Sequence, residues 1–200
     1  MRIGIIIGST RPGRRAPAIA SWIYELASKR DDVECELIDI AELNLPFLDE
    51  PLPPSLGRYT KSHTVRWARK VASLDGFVFV TPEYNHSVPP ALKTAIDFIY
   101  AEWNNKVAGF VSYGSGLGLR AVEHLRGVMA ELQIADVRSQ VALSLFDDFE
   151  DFAAFKPRDV HLPAVEAMLD QLVGWGGALK RYRERRQPSL IPDADVRATA

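Results

Sequence analysis

The sequence predicts an α/β protein built on one parallel sheet, and three observations support that prediction. Short apolar runs rich in Val and Ile alternate five times with stretches whose apolar residues recur at helical spacing. The runs are nearly continuous, as expected of strands covered on both faces. Two unusual polar loops, residues 8–15 and 82–86, directly follow two of the runs. Such alternation implies right-handed crossovers and helices on both faces of the sheet.

The five strands are predicted from β-branched and aromatic residues between turn signals. The first, Arg-Ile-Gly-Ile-Ile-Ile-Gly, shows the pattern most clearly. Each run is short enough for a strand and too short for an ordinary helix. In chain order the predicted strands are residues 2–8, 33–40, 76–81, 106–112 and 136–143.

The helices between them are predicted from periodicity and from proline positions. Pro17 suits the first helical position, where a missing N–H costs nothing, and Pro89 and Pro90 open a later helix in the same way. Residues 41–59 are rich in Pro and Leu and predict an irregular connection. Residues 145–158, acidic and aromatic, predict a loop. Further helices are predicted over residues 60–74, after Gly118 and over residues 163–183.

Five parallel strands of this kind fit a flavodoxin-like three-layer sandwich with strand order 2-1-3-4-5. The order reverses between strands one and three, and ligands bind at such a point, outside the carboxyl ends of the strands. We expect residues 1–185 to form one domain and residues 186–200, which lack periodicity, to be a mobile tail. The two unusual loops therefore lie where this topology opens a crevice.

The composition excludes several classes of function. A net charge of −2 gives no general attraction to nucleic acid, and the single cysteine, Cys35, excludes an internal disulfide and a cysteine-rich metal site. The four histidines show no close ligand spacing. The chain has no run of about 18 apolar residues that could span a bilayer and no signal-peptide layout. We therefore expect a cytoplasmic protein with no metal, nucleic-acid partner or membrane association.

The loop after the first strand predicts a phosphate site. It ends at a helix start, where free N–H groups and the helix dipole attract anions. Ser9 and Thr10 can donate hydroxyl hydrogen bonds, and Arg11, Arg14 and Arg15 can form charge-assisted bonds to phosphate. Three arginines within five residues would repel one another without an anion between them. The alternative is a plain strand-to-helix turn with surface arginines.

Sharper nucleotide motifs are incomplete in this chain. Gly8 and Gly13 have the spacing of a P-loop, but Arg14 and Arg15 replace its Lys-Ser/Thr pair. Thr10 occupies the middle glycine of the dinucleotide fingerprint. Asp39, which ends the second strand, could mimic that motif's ribose-binding acid, although an Asp there is more often a helix cap. Ser115 does not form the Gly-x-Ser-x-Gly nucleophile elbow, because Tyr113 and Leu117 occupy its two glycine positions.

The loop Pro82-Glu83-Tyr84-Asn85-His86 predicts a binding surface for a flat, hydrogen-bonding group. We expect Glu83 to fix this loop through backbone hydrogen bonds rather than to act as a base. A Gly-rich turn over residues 113–118 follows the fourth strand. Lys93 and Asp97 are spaced as a helical i,i+4 pair, which suits either a helix surface or a subunit contact.

At these motifs the sequence resembles the NADPH-dependent FMN reductases, the flavodoxin-like quinone, azo and chromate reductases, over about residues 2–180. The resemblance is carried by Gly8-Ser-Thr-Arg-Pro-Gly-Arg14, Thr81-Pro-Glu-Tyr-Asn85, Pro90-Ala-Leu-Lys-Thr-Ala-Ile-Asp97, Tyr113-Gly114 and Gly118-Leu-Arg-Ala-Val-Glu-His-Leu-Arg126. One departure is Ser115-Gly-Leu-Gly118, where many relatives carry a Gly-Gly pair before Leu-Arg.

The resemblance implies an FMN site. Ser9, Arg11 and the backbone at Arg15 and Ala16 would hold the phosphate. The segment from Pro82 to Asn85 would border the isoalloxazine, and the third loop would close its other side. The full candidate set is Ser9, Thr10, Arg11, Arg14, Arg15, Ala16, Pro82, Glu83, Tyr84, Asn85, Ser112, Tyr113, Gly114 and Gly118.

The implied function is an NAD(P)H-dependent oxidoreductase. A hydride would pass from NADPH or NADH to bound FMN, and then on to a quinone, a free flavin or a similar small acceptor. No catalytic side chain is expected, because the flavin carries the chemistry. The resemblance also implies a homodimer or homotetramer that pairs the helices after strands three and four. The alternatives are an FMN electron carrier and a flavin-responsive interaction protein.

Overall fold

The computed structural model describes residues 1–186, and it has the predicted parallel sheet in the order β2-β1-β3-β4-β5. The fold class and the strand order are therefore confirmed. The fourth strand runs two residues further than predicted, so that Tyr113 and Gly114 belong to it. The strands are β1 Arg2–Ile7, β2 Glu34–Asp39, β3 Gly76–Pro82, β4 Val107–Gly114 and β5 Ala135–Ser144.

Six α-helices cover the two faces of the sheet. The first begins at Ala16, so that Pro17 lies in its first turn as expected, and Pro90 begins the fourth. The helices are α1 Ala16–Ala27, α2 Ile40–Leu43, α3 Ser62–Ala72, α4 Pro90–Asp97, α5 Leu119–Glu131 and α6 Leu162–Arg186. No helix among residues 1–186 combines the length and the apolar character needed to cross a membrane.

The sheet separates two apolar cores. Along β3, Phe77 and Phe79 pack with α3, α4 and α5, whereas Val78 and Val80 pack with α1 and α6. This alternation follows from the period of two in a strand. Because both faces are covered, every residue of β3 is buried. The strands are therefore a rigid base for the loops at their carboxyl ends.

The segment over residues 145–158, predicted as a loop, contains a short hairpin. Its strands are β6, Phe149–Glu150, and β7, Ala154–Phe155. Asp148 is fully buried beneath it and accepts hydrogen bonds from Arg158 Nε at 2.9 Å and His161 Nε2 at 2.8 Å. Strands of two residues are too short for a period to show in sequence, which explains the difference.

The connection after β2 is partly ordered as well. It contains α2 and a 3-10 turn at Pro54–Leu56. Asp39 is the N-cap of α2, with its Oδ1 accepting a hydrogen bond from Ala41 N at 2.9 Å. The expectation of a helix cap at Asp39 is thus correct. Of the predicted tail over residues 186–200, Arg186 is the last residue of α6, and residues 187–200 lie outside the described residues.

Candidate functional site

Three loops meet at the carboxyl edge of the sheet, where the strand order reverses between β1 and β3. Gly8 N, just past β1, donates a hydrogen bond to Val80 O at 2.8 Å and ties the first loop to β3. The hydroxyls of Ser9 and Tyr84 share a hydrogen bond at 3.2 Å. The two loops singled out in the sequence are therefore in direct contact.

The first loop ends at an open helix N-terminus. Arg15 is the N-cap of α1, and its side chain makes no capping hydrogen bond. The N–H groups of the first turn have no intrahelical acceptor in an α-helix. Ser9 is 1% exposed, so its hydroxyl is held inside the site. Hydroxyl and amide donors at a helix start form the donor set that a phosphate requires.

The three arginines of the first loop have three different environments. Arg14 forms a two-pronged ion pair with Asp39, at 2.7 and 2.5 Å, and also donates to Ser9 O at 2.5 Å. Arg15 donates from Nε to Phe152 O at 3.1 Å, in the β6–β7 hairpin. Within residues 1–186, Arg11 alone of the three has no such partner. The carboxylate of Asp39 therefore neutralises Arg14 and reduces the mutual repulsion of the three arginines that the sequence predicts.

The second loop is locked by its own backbone. Tyr84 N donates to Ser87 O at 2.8 Å, and Ser87 N donates to Tyr84 O at 3.0 Å. Between them, Asn85 and His86 have φ values of 48° and 71°. Two successive left-handed residues give the tight turn that matches strand twist. The loop therefore presents Tyr84 from a preformed frame.

Glu83 fixes the second loop to α5, as the sequence predicts. Its carboxylate accepts hydrogen bonds from Arg120 N at 3.2 Å and Arg120 Nε at 2.5 Å. Burial raises the pKa of Glu83, but the hydrogen bond and the charge of Arg120 outweigh it, so the pKa lies below its ordinary value. Glu83 is thus an ionised structural acceptor at the start of a helix, where a negative charge is favourable.

The third loop requires a glycine at its end. Gly118 has φ 68°, and a Cβ there would lie 2.8 Å from the Cβ of Ser112. Ser112 is buried and donates to Leu117 O at 2.7 Å. Leu117 itself has φ 61°. Because Gly118 lies against Ser112 and Tyr113, the loop turns tightly back over the end of β4 beside Gly114.

Tyr113 faces the first loop rather than α5. It is buried, and the Ser9 hydroxyl and the amide of Ala16 lie beside its hydroxyl and favour its ionised form. Burial and the neighbouring Tyr84 raise the pKa of Tyr113 above its ordinary value. The neutral phenol therefore lies among the donors predicted to bind phosphate. Ser9, Tyr84 and Tyr113, one residue from each of the three loops, lie close together there.

One feature of the site was missed in the sequence, a cleft on the β2 side of Tyr84. Its volume is about 770 Å³. Thr10 and Arg11 line it from the first loop, and Leu45 and Phe47 line it from the connection predicted to be irregular. The only signal in the sequence is an aromatic residue within a proline-rich segment, which is too common to indicate a site.

The described residues fit an FMN phosphate. The first turn of α1 lacks a side-chain cap, Ser9 supplies a buried hydroxyl, and Arg11 supplies a positive charge without an acidic partner. The second loop, closed by its own backbone hydrogen bonds, and the tight third loop lie beside that anion site. No group of His, Cys, Asp and Glu among residues 1–186 is arranged to hold a metal ion.

Comparison with known proteins identifies relatives of the same kind. A family model described as NADPH-dependent FMN reductase matches residues 1–148. An NAD(P)H-dependent FMN reductase of Schizosaccharomyces pombe is 39% identical over 146 residues, covering 72% of this chain and 73% of the relative. A Saccharomyces cerevisiae NAD(P)H-dependent FMN reductase is 37% identical, covering 67% and 76%. A 2-hydroxy-1,4-benzoquinone reductase of a Burkholderia species is 32% identical, covering 67% and 73%.

A solved structure supports the same fold. The flavoenzyme NAD(P)H:acceptor oxidoreductase FerB of Paracoccus denitrificans superposes with a TM-score of 0.70 at 18% identity, covering 88% of this chain and 97% of its own. The family match confirms the expectation of an NAD(P)H-dependent oxidoreductase that uses FMN. The chain belongs to the NADPH-dependent FMN reductase family.

Proposed function

We propose that this protein passes reducing equivalents from NAD(P)H to quinone-class acceptors, with FMN bound across the carboxyl ends of β1, β3 and β4. The observation that carries the proposal is the convergence of the three loops at an uncapped helix start. Ser9, Tyr84 and Tyr113 meet there, although 29 residues separate the two tyrosines and 75 separate Ser9 from Tyr84. The phosphate end of the cofactor is assigned to this point.

The phosphate is held by the first loop in this assignment. Ser9 Oγ and the amides of Arg15 and Ala16 donate hydrogen bonds, and Arg11 supplies the charge. Each hydrogen bond to a charged group contributes about 1.5–3 kcal/mol, and the helix dipole adds about 0.3–1 kcal/mol. Arg14 acts indirectly, because its bonds to Asp39 and Ser9 O hold the loop in shape.

The ring system lies between the second and third loops in this assignment. Pro82 to Asn85 offer main-chain groups to its polar edge, and Glu83 keeps them in place through Arg120. Gly114 and Gly118 permit a close approach on the other side. A preformed frame lowers the entropy cost of binding, because little has to be ordered when the ligand arrives.

The bound flavin supplies the redox chemistry, while the protein supplies binding, orientation and electrostatics. Among the assigned residues, Glu83 is ionised and already paired, and Tyr113 is held as a neutral phenol. Neither is poised to exchange a proton near neutral pH. Their states suit the expectation that no side chain acts as an acid or a base.

The acceptor class follows from the relatives, several of which are named for quinone reduction. We also propose a cytoplasmic homodimer or homotetramer that pairs α4 and α5. On α4, Lys93 Nζ donates to Asp97 Oδ1 at 2.9 Å and to Asp97 Oδ2 at 2.7 Å. This ion pair lies beside an open groove that reaches His124 on α5. Light scattering of the purified protein measures the assembly directly.

The test of the proposed function is an anaerobic half-reaction. The protein is loaded with FMN, freed of excess cofactor and mixed with NADPH. We expect the visible flavin absorbance to bleach and then to return when 2-methyl-1,4-naphthoquinone is added. Riboflavin, which lacks the phosphate, is the control ligand and should bind much more weakly. Failure of FMN-loaded protein to bleach would remove the enzyme assignment.

A further inference from the structure

The cleft beside Tyr84 has the size of a substrate site. Its volume of about 770 Å³ falls within the range of about 300–1,000 Å³ that is common for small-molecule sites. It shares Thr10, Arg11 and Tyr84 with the proposed flavin site. Ser9 and Tyr113, which mark the phosphate end, do not line it. The cleft therefore adjoins the flavin site and is a separate space.

The walls of the cleft are apolar on the side away from the flavin loops. Leu45, Pro46 and Phe47 form one wall, and Pro89 and Pro90 at the start of α4 form the other. Among the residues that line it, all of them described, Arg11 alone is charged. Such a lining favours a neutral, largely apolar occupant over the phosphate-rich body of a nicotinamide nucleotide.

Phe47 is presented to solvent by the backbone. The helix α2 ends at Leu43, and the chain turns at its C-cap, Asn44, which has a φ of 45°. Phe47 follows on that turn and is 89% exposed. A phenylalanine side chain gains about 1.5–3 kcal/mol when it is removed from water. Here that gain is available to a molecule that enters the cleft.

We propose that this cleft holds the electron acceptor, a planar and largely apolar quinone, and that Phe47 stacks on its ring and sets acceptor specificity. The inference rests on the proposed function and adds the place and the contact residue of the acceptor. Overall, NAD(P)H, one proton and the quinone give NAD(P)⁺ and the hydroquinone. The hydride brings two electrons and one proton, and the solvent supplies the other proton. An acceptor next to Tyr84 would lie beside the position proposed above for the FMN ring system.

The test uses variants that leave the fold intact, since Phe47 is almost fully exposed. Phe47→Ala removes the ring and Phe47→Tyr keeps it. Phe146→Ala is the matched control, because Phe146 is 64% exposed and does not line the cleft. Aromatic stacking contributes about 0.5–1.5 kcal/mol, which corresponds to about a 2- to 10-fold change. We expect Phe47→Ala to raise the KM for 2-methyl-1,4-naphthoquinone by that factor, while Phe47→Tyr and Phe146→Ala stay near the parent value.

Two further readouts separate an acceptor contact from a general defect. Ferricyanide accepts electrons without a ring to stack, so its KM should be the same for all variants. Calorimetry of the quinone with oxidised, FMN-loaded protein, without any donor, should show weaker binding for Phe47→Ala alone. The FMN dissociation constant and the mass by light scattering should not change.

The outcomes distinguish the possible errors. If Phe47→Ala weakens FMN binding, the flavin itself occupies the cleft, and if it changes the mass, the cleft is covered by a second copy of the chain. Equal quinone KM and equal quinone binding in all variants would also overturn the assignment. If instead the parent protein fails to bleach with NADPH, the proposed function is wrong, whatever the variants show.

Discussion

The two basic segments of this chain, residues 11–15 and 180–186, look alike in sequence and are used differently in the fold. In the first, Arg14 pairs with Asp39, and Arg11 is left beside an uncapped helix start. In the second, Lys180 and Arg183 both bind the carboxylate of Asp75, at 3.0 and 2.7 Å. The exposed cations of the second segment, Arg181, Arg185 and Arg186, lie towards the C-terminal end of α6, whereas Arg11 lies beside a helix N-terminus.

The helix dipole increases the difference between the two segments. The first segment precedes the N-terminus of α1, where the dipole is positive and adds to the arginine charge. The second lies in the last turns of α6, where the dipole is negative and is offset by the cations. Basic residues in a sequence thus indicate an anion site only where they lie at a helix N-terminus and have no acidic partner.

The largest effect that follows from this comparison is expected at Asp75. Asp75→Asn leaves the largely buried Arg183 and the partly exposed Lys180 without their counter-charge. We expect the free energy of unfolding to fall by about 2–4 kcal/mol, measured by urea denaturation. FMN affinity should not change, because the second segment lies at the opposite end of the sheet from the site. A loss below about 0.5 kcal/mol would show that the second segment is merely solvated.

The same residue predicts a pH dependence. Burial raises the pKa of Asp75, but the hydrogen bond from Arg2 N and the charges of Lys180 and Arg183 outweigh it, and the pKa lies below its ordinary value of 3.8. The unfolded chain therefore takes up this proton at a higher pH than the folded protein does. The stabilisation is complete above pH 3.8 and is lost as the pH falls below it. Asp75→Asn should show a smaller loss of stability in that acid range than the parent protein.

At the first segment, Arg11→Met is expected to weaken FMN binding by about 10- to 100-fold, since a charge-assisted hydrogen bond contributes about 1.5–3 kcal/mol. The affinity for riboflavin should remain the same, because riboflavin has no phosphate group for Arg11 to bind. Arg15→Met is the matched control, since Arg15 already donates to Phe152 O. Equal losses in the two variants would contradict the distinction between Arg11 and Arg15. Fluorescence titration of the flavin measures both dissociation constants.

A smaller effect is expected for the pair of Arg14 and Asp39. Arg14→Met and Asp39→Asn should each lower the free energy of unfolding by about 1 kcal/mol, because each breaks the same partly buried pair. Asp39→Asn keeps an oxygen that can cap α2. A double-mutant cycle should give a coupling energy of about 1 kcal/mol. Additive losses would mean that the two residues act separately.

The smallest effect is expected at the end of α6. Arg185 and Arg186 are exposed, and substitution of both by Gln should change the free energy of unfolding by less than about 0.5 kcal/mol. FMN affinity should also be unchanged. A marked loss of flavin binding would show that the second segment also serves the anion site.

Much of the site could be predicted from the sequence because its signals are local. The apolar runs locate the strands, the loops after β1 and β3 are unusual in composition, and Glu83 has the role that was expected of it. The partner of Arg14 could not be predicted, since Asp39 lies 25 residues away and also served as a plausible helix cap. The β6–β7 hairpin was missed because two-residue strands leave no periodic pattern.

The alternation of strands and helices could be predicted from the sequence alone, and with it the parallel sheet and the edge at which the candidate site lies. These depend on hydrophobic periodicity and on connection handedness, which are properties of neighbouring residues. Which charges are neutralised and where the cleft opens depend on the packing of the folded chain. The ion pair of Asp75 with Arg183 and the cleft lined by both Phe47 and Tyr84 bring together residues far apart in the sequence. No local pattern encodes such a proximity.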